Sequence, residues 1–289
     1  MLFDKDSSEP RPPASMVKMM VALLTFEALE RGEIRLDQEV PISLAASRTG
    51  GSAVLLRAGE KLLLEDLIKA MLVASANGAS VAIAEAVARS PSAMIARMNE
   101  RARELGMSET VYRTVNGLPP RRGKGLPDMS SAADQAVLAR KLLEHREVFR
   151  YSSRPVVPIR NGTVLLRNTN HLVGRMEGVD GLKTGYYRRA GFNLTATAAR
   201  DGMRLIAVVM GCPTLRARFL VAQELMEWGF AHFSKLKVVR NDELRDLHVT
   251  FQMPGIFSAP VAKHQELARS SFAIGSGSST WSPRFRRSK

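Results

Sequence analysis

Residues 192–210 read FNLTATAARDGMRLIAVVM, and this string decides the fold. Two runs rich in Leu, Ile, Val and Thr, residues 192–199 and 204–210, flank Arg200-Asp201-Gly202. Asp-Gly between such runs signals an antiparallel hairpin, because a tight turn needs residues that accept positive φ. Residues 214–233 return to a helical pattern after the hairpin, and residues 163–168 form one more extended run ahead of it. Further upstream the chain reads as helix. The largely apolar SMVKMMVALLTFEALE at residues 15–30 ends at Arg31-Gly32 and predicts one mostly buried helix. Two more helices are expected over residues 64–73 and 79–88, separated by the polar break Ser-Ala-Asn-Gly, and amphipathic ones over 91–105 and 131–145, separated by a Gly/Pro/Arg-rich loop. Pro10, Pro12 and Pro13 hold the approach to residue 15 extended. Helices followed by a hairpin and a covering helix predict an α+β domain with helices packed on an antiparallel sheet. That domain is expected over residues 1–234; residues 235–289, ending SSFAIGSGSSTWSPRFRRSK, are expected to be a basic, disordered tail.

The whole chain has 289 residues, 45% hydrophobic and 24% charged, which is ordinary for a protein that buries a core. Lys plus Arg number 42 against 28 Asp plus Glu, a net charge of +14 that favours polyanionic partners without naming one. Cys212 is the only cysteine, which excludes an intrachain disulfide and thiolate-built zinc or iron–sulfur sites, and five scattered histidines argue against other metal chemistry. No metal or other cofactor is expected. No apolar stretch approaches the ~18 residues that a bilayer-spanning helix needs. The first twenty residues lack the basic start and apolar centre of a secretory signal, so the chain read literally stays in the cytoplasm.

Ser15 and Lys18 stand three apart at a helix start, which sets a hydroxyl and an amine on one face about one turn apart. A lysine can take a serine's proton only when neutral, and desolvation, a second cation and the positive helix N-terminus all depress its pKa. By chance alone about one S-x-x-K is expected in such a chain. Ser75 and Asn77 lie in the polar break, free either to project into a cleft or to cap the following helix. Lys183-Thr184-Gly185 precedes the hairpin, where Gly185 leaves strand backbone open to a bound peptide and the alternative is a plain surface turn.

The three motifs occur in the order S-x-x-K, S-x-N, K-T-G, with separations of 60 and 108 residues. With the flanking RPPASMVKMM, VNGLP at residues 115–119, RNTNHL at 167–172 and GVDGLKTGYYRRAGFNL, the sequence over residues 5–233 resembles the low-molecular-mass penicillin-binding proteins, the D-alanyl-D-alanine carboxypeptidases of the S11 serine peptidase family. The resemblance implies a β-lactamase/transpeptidase-like α+β fold, an antiparallel sheet flanked by helices plus a mostly helical subdomain. It implies Ser15 as acylated nucleophile, Lys18 as its general base and Ser75 as proton relay to the leaving amine. Asn77 is then expected to hold the substrate amide oxygen. Lys183, Thr184 and, by its place ten residues before Trp228, Arg218 are expected around the terminal carboxylate. The backbone N–H groups of Ser15 and Tyr186 become the oxyanion hole, with Gly185 beside them. The implied partners are a peptidoglycan stem peptide ending in D-Ala-D-Ala and β-lactam antibiotics as acylating inhibitors. The implied location is the periplasm or cell envelope.

Gly78 stands where Asp is common in the family, Tyr186 where many members have His, and a short basic tail replaces the β-rich C-terminal domain of many members. Members also carry a signal peptide and a strand pair ahead of the R-P-P-A-S segment; residues 1–10 are expected to be the end of the second strand, entered midway, with the first strands missing. A class A β-lactamase shares the triplet but needs an E-x-x-L-N glutamate that is absent here. The alternatives are a D,D-endopeptidase with the same site and a truncated, non-catalytic wall-binding protein. A nucleic-acid binder rests on charge alone, with four Tyr and two Trp and no interleaved basic motif.

Overall fold

The computed structural model describes residues 1–51, 54–120 and 125–234, with strand backbone at 248–252, 269–274 and 277–279. Residues Asp6–Ser234 form one compact unit. At its centre lies the hairpin expected from residues 192–210. Strands β6 (Gly191–Arg200) and β7 (Met203–Cys212) pair antiparallel, and β5 (Val179–Tyr187) adds to the other side of β6, giving the order β5-β6-β7. Asp201 and Gly202 take φ of 49° and 75°, the left-handed pair that a tight hairpin turn demands.

Alternation along β6 gives the sheet two different faces. Leu194, Ala196 and Ala198 bury against Phe219, Ala222 and Met226 of α8 (Leu215–His232). Between them, Asn193, Thr195 and Thr197 turn fully buried polar groups the other way. Asn193 Nδ2 donates to the Pro12 carbonyl at 2.9 Å, and Thr195 Oγ1 lies 3.4 Å from Met16 Sδ. The second face of the sheet is therefore bound to the segment that carries Ser15.

The helical part is arranged around α1 (Lys18–Glu30), whose residues 18–26 are all buried. It packs against α3 (Leu64–Leu72), α4 (Asn77–Ala88), α5 (Pro91–Glu104) and α6 (Ala132–Leu142). A helix apolar on every side must be interior, which fits the reading of residues 15–30. The structure corrects that reading at its start: Ala14–Val17 is a separate 3-10 turn, entered through Ala14 at φ 50° and closed by Met16 N–H on the Pro13 carbonyl. Hydroxyl caps set the starts of three other long helices, Ser90 for α5 with Pro91 in its first turn, Ser131 for α6 and Thr214 for α8.

Elements of three to five residues escaped the sequence reading, because they are shorter than a readable period. These are α2 (Leu44–Ser47), α7 (Val148–Ser152), the pair β1 (Glu39–Pro41) with β2 (Lys61–Leu63), and β3 (Val156–Ile159), which pairs with β4 (Val164–Arg167). Residues 1–10, expected as a strand end, instead bend, with Asp6 at φ 52° and Glu9 N–H on the Asp6 carbonyl. A left-handed residue interrupts extended backbone, so no strand is described there. The other unit comprises Met1–Lys5 and Lys235–Lys289. Within it β8 (His248–Gln252), β9 (Arg269–Ile274) and β10 (Gly277–Ser279) form an antiparallel sheet in the order β10-β9-β8; the disorder expected of the remaining residues there falls outside those described. Among the described residues no helix is long and apolar enough to cross a membrane.

Candidate active site

The 3-10 turn and α1 place Ser15 and Lys18 in contact, with Lys18 Nζ 2.8 Å from Ser15 Oγ. Lys18 is completely buried, whereas Ser15 is partly open to the surface. Two further acceptors hold Nζ, Asn77 Oδ1 and the Asn116 carbonyl, each at 2.7 Å. Their effect depends on protonation. A neutral amine has two hydrogens, and these two acceptors use both, which leaves the lone pair for the Ser15 hydroxyl proton. Burial drives the Lys18 pKa well below that of a free lysine and the nearby Lys183 charge lowers it further, while Asp128 opposes them. The site can thus hold a lysine in its basic form beside a serine hydroxyl.

The polar break between α3 and α4 supplies the second motif. Ser75 sits there at φ 60°, a strained conformation for a residue with a Cβ. The turn is tied by Ala76 N–H to the Ala70 carbonyl and by Thr169 N–H to the Val73 carbonyl. Neither Ser75 nor Asn77 caps α4, whose N-cap is Ala76 with no side-chain bond, so the capping alternative falls. Asn77 Nδ2 spends one hydrogen on the Gly50 carbonyl at 2.8 Å.

K-T-G lies on β5, the strand at one edge of the sheet. Lys183 Nζ, also buried, donates to Ser75 Oγ and to the Thr184 carbonyl, both at 2.9 Å. Desolvation first, and Arg218 second, push its pKa down to about 7. Thr184 Oγ1 donates to Thr169 Oγ1 at 2.8 Å. Arg218 of α8 is buried, donates through Nη1 to the carbonyls of Asn193 at 3.2 Å and Gly185 at 3.4 Å, and lies over the Phe219 and Phe192 rings. Desolvation lowers its pKa to about 10, and its Nε has no partner. Tyr186 is exposed and stacks on Phe192 at 4.1 Å between centroids.

The two glycines beside Ser15 are required by contact. A Cβ on Gly185 would overlap the Pro13 carbonyl and come within 3.2 Å of Ser15 N. One on Gly117, at φ 78°, would overlap the Ala14 carbonyl. Gly117→Ala is therefore expected to push the Asn116 turn away from Ser15, lowering the melting temperature and slowing acylation of Ser15 together; a melt and an acylation rate equal to those of the unaltered protein would show that the contact is not tight.

Lys18 thus holds Ser15 and Asn77 by hydrogen bonds and Lys183 holds Ser75, Thr184 and Gly185 follow Lys183 on β5, and Arg218 donates to the Gly185 carbonyl. The Asn116 carbonyl and the Thr169 hydroxyl were not singled out in the sequence. Both sit in strings, VNGLP and RNTNHL, whose likeness to the family was visible but whose backbone and second-layer contacts leave no residue-type signal. Among the described residues no group of three or more His, Cys, Asp or Glu could hold a metal.

Residues 1–214 match the family model described as Peptidase_S11, D-alanyl-D-alanine carboxypeptidase. Among curated proteins, the D-alanyl-D-alanine carboxypeptidase DacF of Bacillus subtilis is 32% identical over 92% of this chain and 76% of its own length. DacC of Escherichia coli is 33% identical over 83% of this chain; the match spans 60% of that longer protein. Among solved structures, the ampicillin-bound form of penicillin-binding protein D2 from Listeria monocytogenes has a TM-score of 0.69 at 32% identity, covering 79% of this chain and 91% of that one. The PBP3 structure from Streptococcus pneumoniae has a TM-score of 0.77 at 30% identity, covering 85% and 80%.

Proposed function

Because the chain belongs to the S11 family of D-alanyl-D-alanine carboxypeptidases, which are serine peptidases, we propose that it removes the terminal D-alanine from peptidoglycan stem peptides through an acyl-enzyme on Ser15. The observation that carries this reading is the buried Lys18 amine 2.8 Å from Ser15 Oγ, with its two other hydrogen-bonding directions taken by Asn77 and Asn116. In acylation Ser15 Oγ attacks the carbonyl carbon of the penultimate D-alanine while its proton passes to Lys18 Nζ. The backbone N–H groups of Ser15 and Tyr186 receive the developing oxyanion. Ser75, oriented by Lys183, hands its proton to the departing amine nitrogen as the C–N bond breaks and regains one from the Lys18 ammonium, and D-alanine leaves. Lys18, neutral again, takes a proton from water, whose oxygen attacks the ester carbonyl, and returns that proton to Ser15 Oγ as the ester C–O bond breaks. Splitting one amide hydrolysis into two ester steps is the gain of covalent catalysis. Asn77 Nδ2 keeps one hydrogen free for the substrate amide oxygen, Lys183 and Arg218 supply the positive charge for the terminal carboxylate, and Thr184 adds a hydroxyl beside it. β-Lactams, which carry a carboxylate and a strained amide, would acylate the same hydroxyl, and the place of action is the cell envelope where the polymer lies.

The test is incubation with a stem pentapeptide and, separately, with a crosslinked dimer. D-Alanine released from the pentapeptide, with the dimer intact, is the expected result. Cleavage of the dimer in preference would make the protein a D,D-endopeptidase, and cleavage of neither, with no penicillin adduct, would leave a wall-binding protein.

A pH prediction follows from Lys183. The free protein loses this ammonium as pH rises through about 7, so kcat/KM for the anionic pentapeptide should fall there. Lys183→Arg keeps a cation at every accessible pH, so in that variant the alkaline limb should disappear even if the plateau is lower, whereas Lys183→Ala should raise KM throughout. Equal kcat/KM profiles for the two variants would remove Lys183 from the carboxylate site.

A further inference from the structure

Asp128, just ahead of α6, carries a second inference about the same site, and it rests on Lys18 acting as the base. Its side chain is 3% exposed, and every acceptor direction used faces one turn of chain. Oδ1 accepts from the N–H groups of Arg113 at 2.5 Å and Thr114 at 2.9 Å, and Oδ2 accepts from Thr114 Oγ1 at 2.7 Å. The same Thr114 hydroxyl oxygen accepts from Gly117 N–H at 2.8 Å. Between Thr114 and Gly117 lies Asn116, whose carbonyl accepts from Lys18 Nζ and lies 3.5 Å from Ser15 Oγ. A continuous line of hydrogen bonds therefore runs from the carboxylate, through one threonine hydroxyl, to the turn that orients the amine.

We infer that Asp128 is a positioning residue for acylation: its carboxylate clamps the 113–117 turn so that the Asn116 carbonyl stays on Lys18, and its negative charge steadies the ammonium that Lys18 becomes. Two properties make a carboxylate suited to the task. It is acceptor-only when ionised, so three donors can converge on it, and hydrogen bonds to an ionised group are stronger than neutral ones. The charged groups around the pair are few. Lys183 on β5 opposes protonation of Lys18, and Asp128 is the carboxylate that favours it. Asp128 faces the Arg113 cation of the 113–117 turn, and its charge also bears on the phenols of Tyr112 and of Tyr187 on β5. Burial raises the Asp128 pKa, while the donors of Arg113 and Thr114 pull it back.

The two parts of the role separate by experiment. Asp128→Asn removes charge and one acceptor. With the charge gone the Lys18 ammonium is less favoured, so Lys18 loses its proton at lower pH, and the acid limb of penicillin acylation should move to lower pH. Thr114→Val breaks the link to Gly117 but keeps the charge, so it should cut the plateau rate by about tenfold to a hundredfold, the cost of a displaced catalytic contact, without moving the limb. Thr114→Ser, which restores the hydroxyl, should recover most of that loss. The probe is a fluorescent penicillin, with thermal melts to show that each variant is folded. An unmoved limb in folded Asp128→Asn, or a limb moved as far by Thr114→Val, would overturn the inference. Should Asp128→Asn not fold, the Thr114 pair decides: a Val variant as fast as the unaltered protein overturns it. Failure of the parent reading looks different, since the unaltered protein would then form no adduct or Lys18→Met would acylate at the normal rate.

Discussion

Ser15→Ala yields a protein that melts within a few degrees of the unaltered chain and forms no covalent adduct with a fluorescent penicillin. The fold has little at stake in this hydroxyl. It contributes one of three polar contacts to Lys18 Nζ, the other two remain, and the position is not fully buried, so removing a single oxygen is a small perturbation. The chemistry has everything at stake, because an acyl bond needs that oxygen. Intact-mass measurement is the check. A one-to-one penicilloyl adduct on the alanine variant, at any rate comparable with the parent, would mean that the nucleophile lies elsewhere.

Lys18→Met should be nearly as severe. Methionine has a similar length and no base, and a positioned general base is worth about 10²- to 10⁴-fold, so the acylation rate constant is expected to fall by that factor. In the unaltered protein the rate should rise with pH as Lys18 loses its proton, and this acid limb lies far below the range of a free lysine because burial disfavours the ammonium. The methionine variant should lack the limb altogether. A rate within tenfold of the parent, or an unchanged limb, would transfer the base role to another group.

Much of this site could be read before any coordinates, and the reason is that the chemistry sits in side chains of unusual type at unusual spacing. Ser15 with Lys18, Ser75 with Asn77, and Lys183-Thr184-Gly185 are each three or four residues long, and the order of three such strings is specific where one is not. The β6–β7 hairpin was legible from Asp201-Gly202, which the backbone uses with both residues left-handed. What the sequence hid falls into two kinds. One is function carried by backbone, such as the Asn116 carbonyl on Lys18, for which side-chain identity is silent. The other is geometry at element starts: residues 15–30 have one apolar character throughout, yet the chain turns tightly at Ala14–Val17 before α1 begins, and that tight turn is what brings Ser15 against Gly117 and Gly185.

The burial of Lys18 and Lys183 has a thermodynamic consequence for the whole molecule. Neither ammonium hydrogen-bonds to a carboxylate among the described residues, and each loses hydration that its neighbours only partly replace. A buried amine opposes folding whether it keeps its proton or gives it up, and Asp128 offsets that cost only at Lys18, so the protein carries its reactive centre at the expense of cohesion, as strained functional sites commonly do. A carboxylate entering the cleft restores the missing anion. Substrate and antibiotic alike then act as folding ligands, binding the native chain and not the unfolded one, and resistance to heat and to proteolysis grows with the logarithm of their concentration above Kd. The protein is in this sense most securely folded while it is at work.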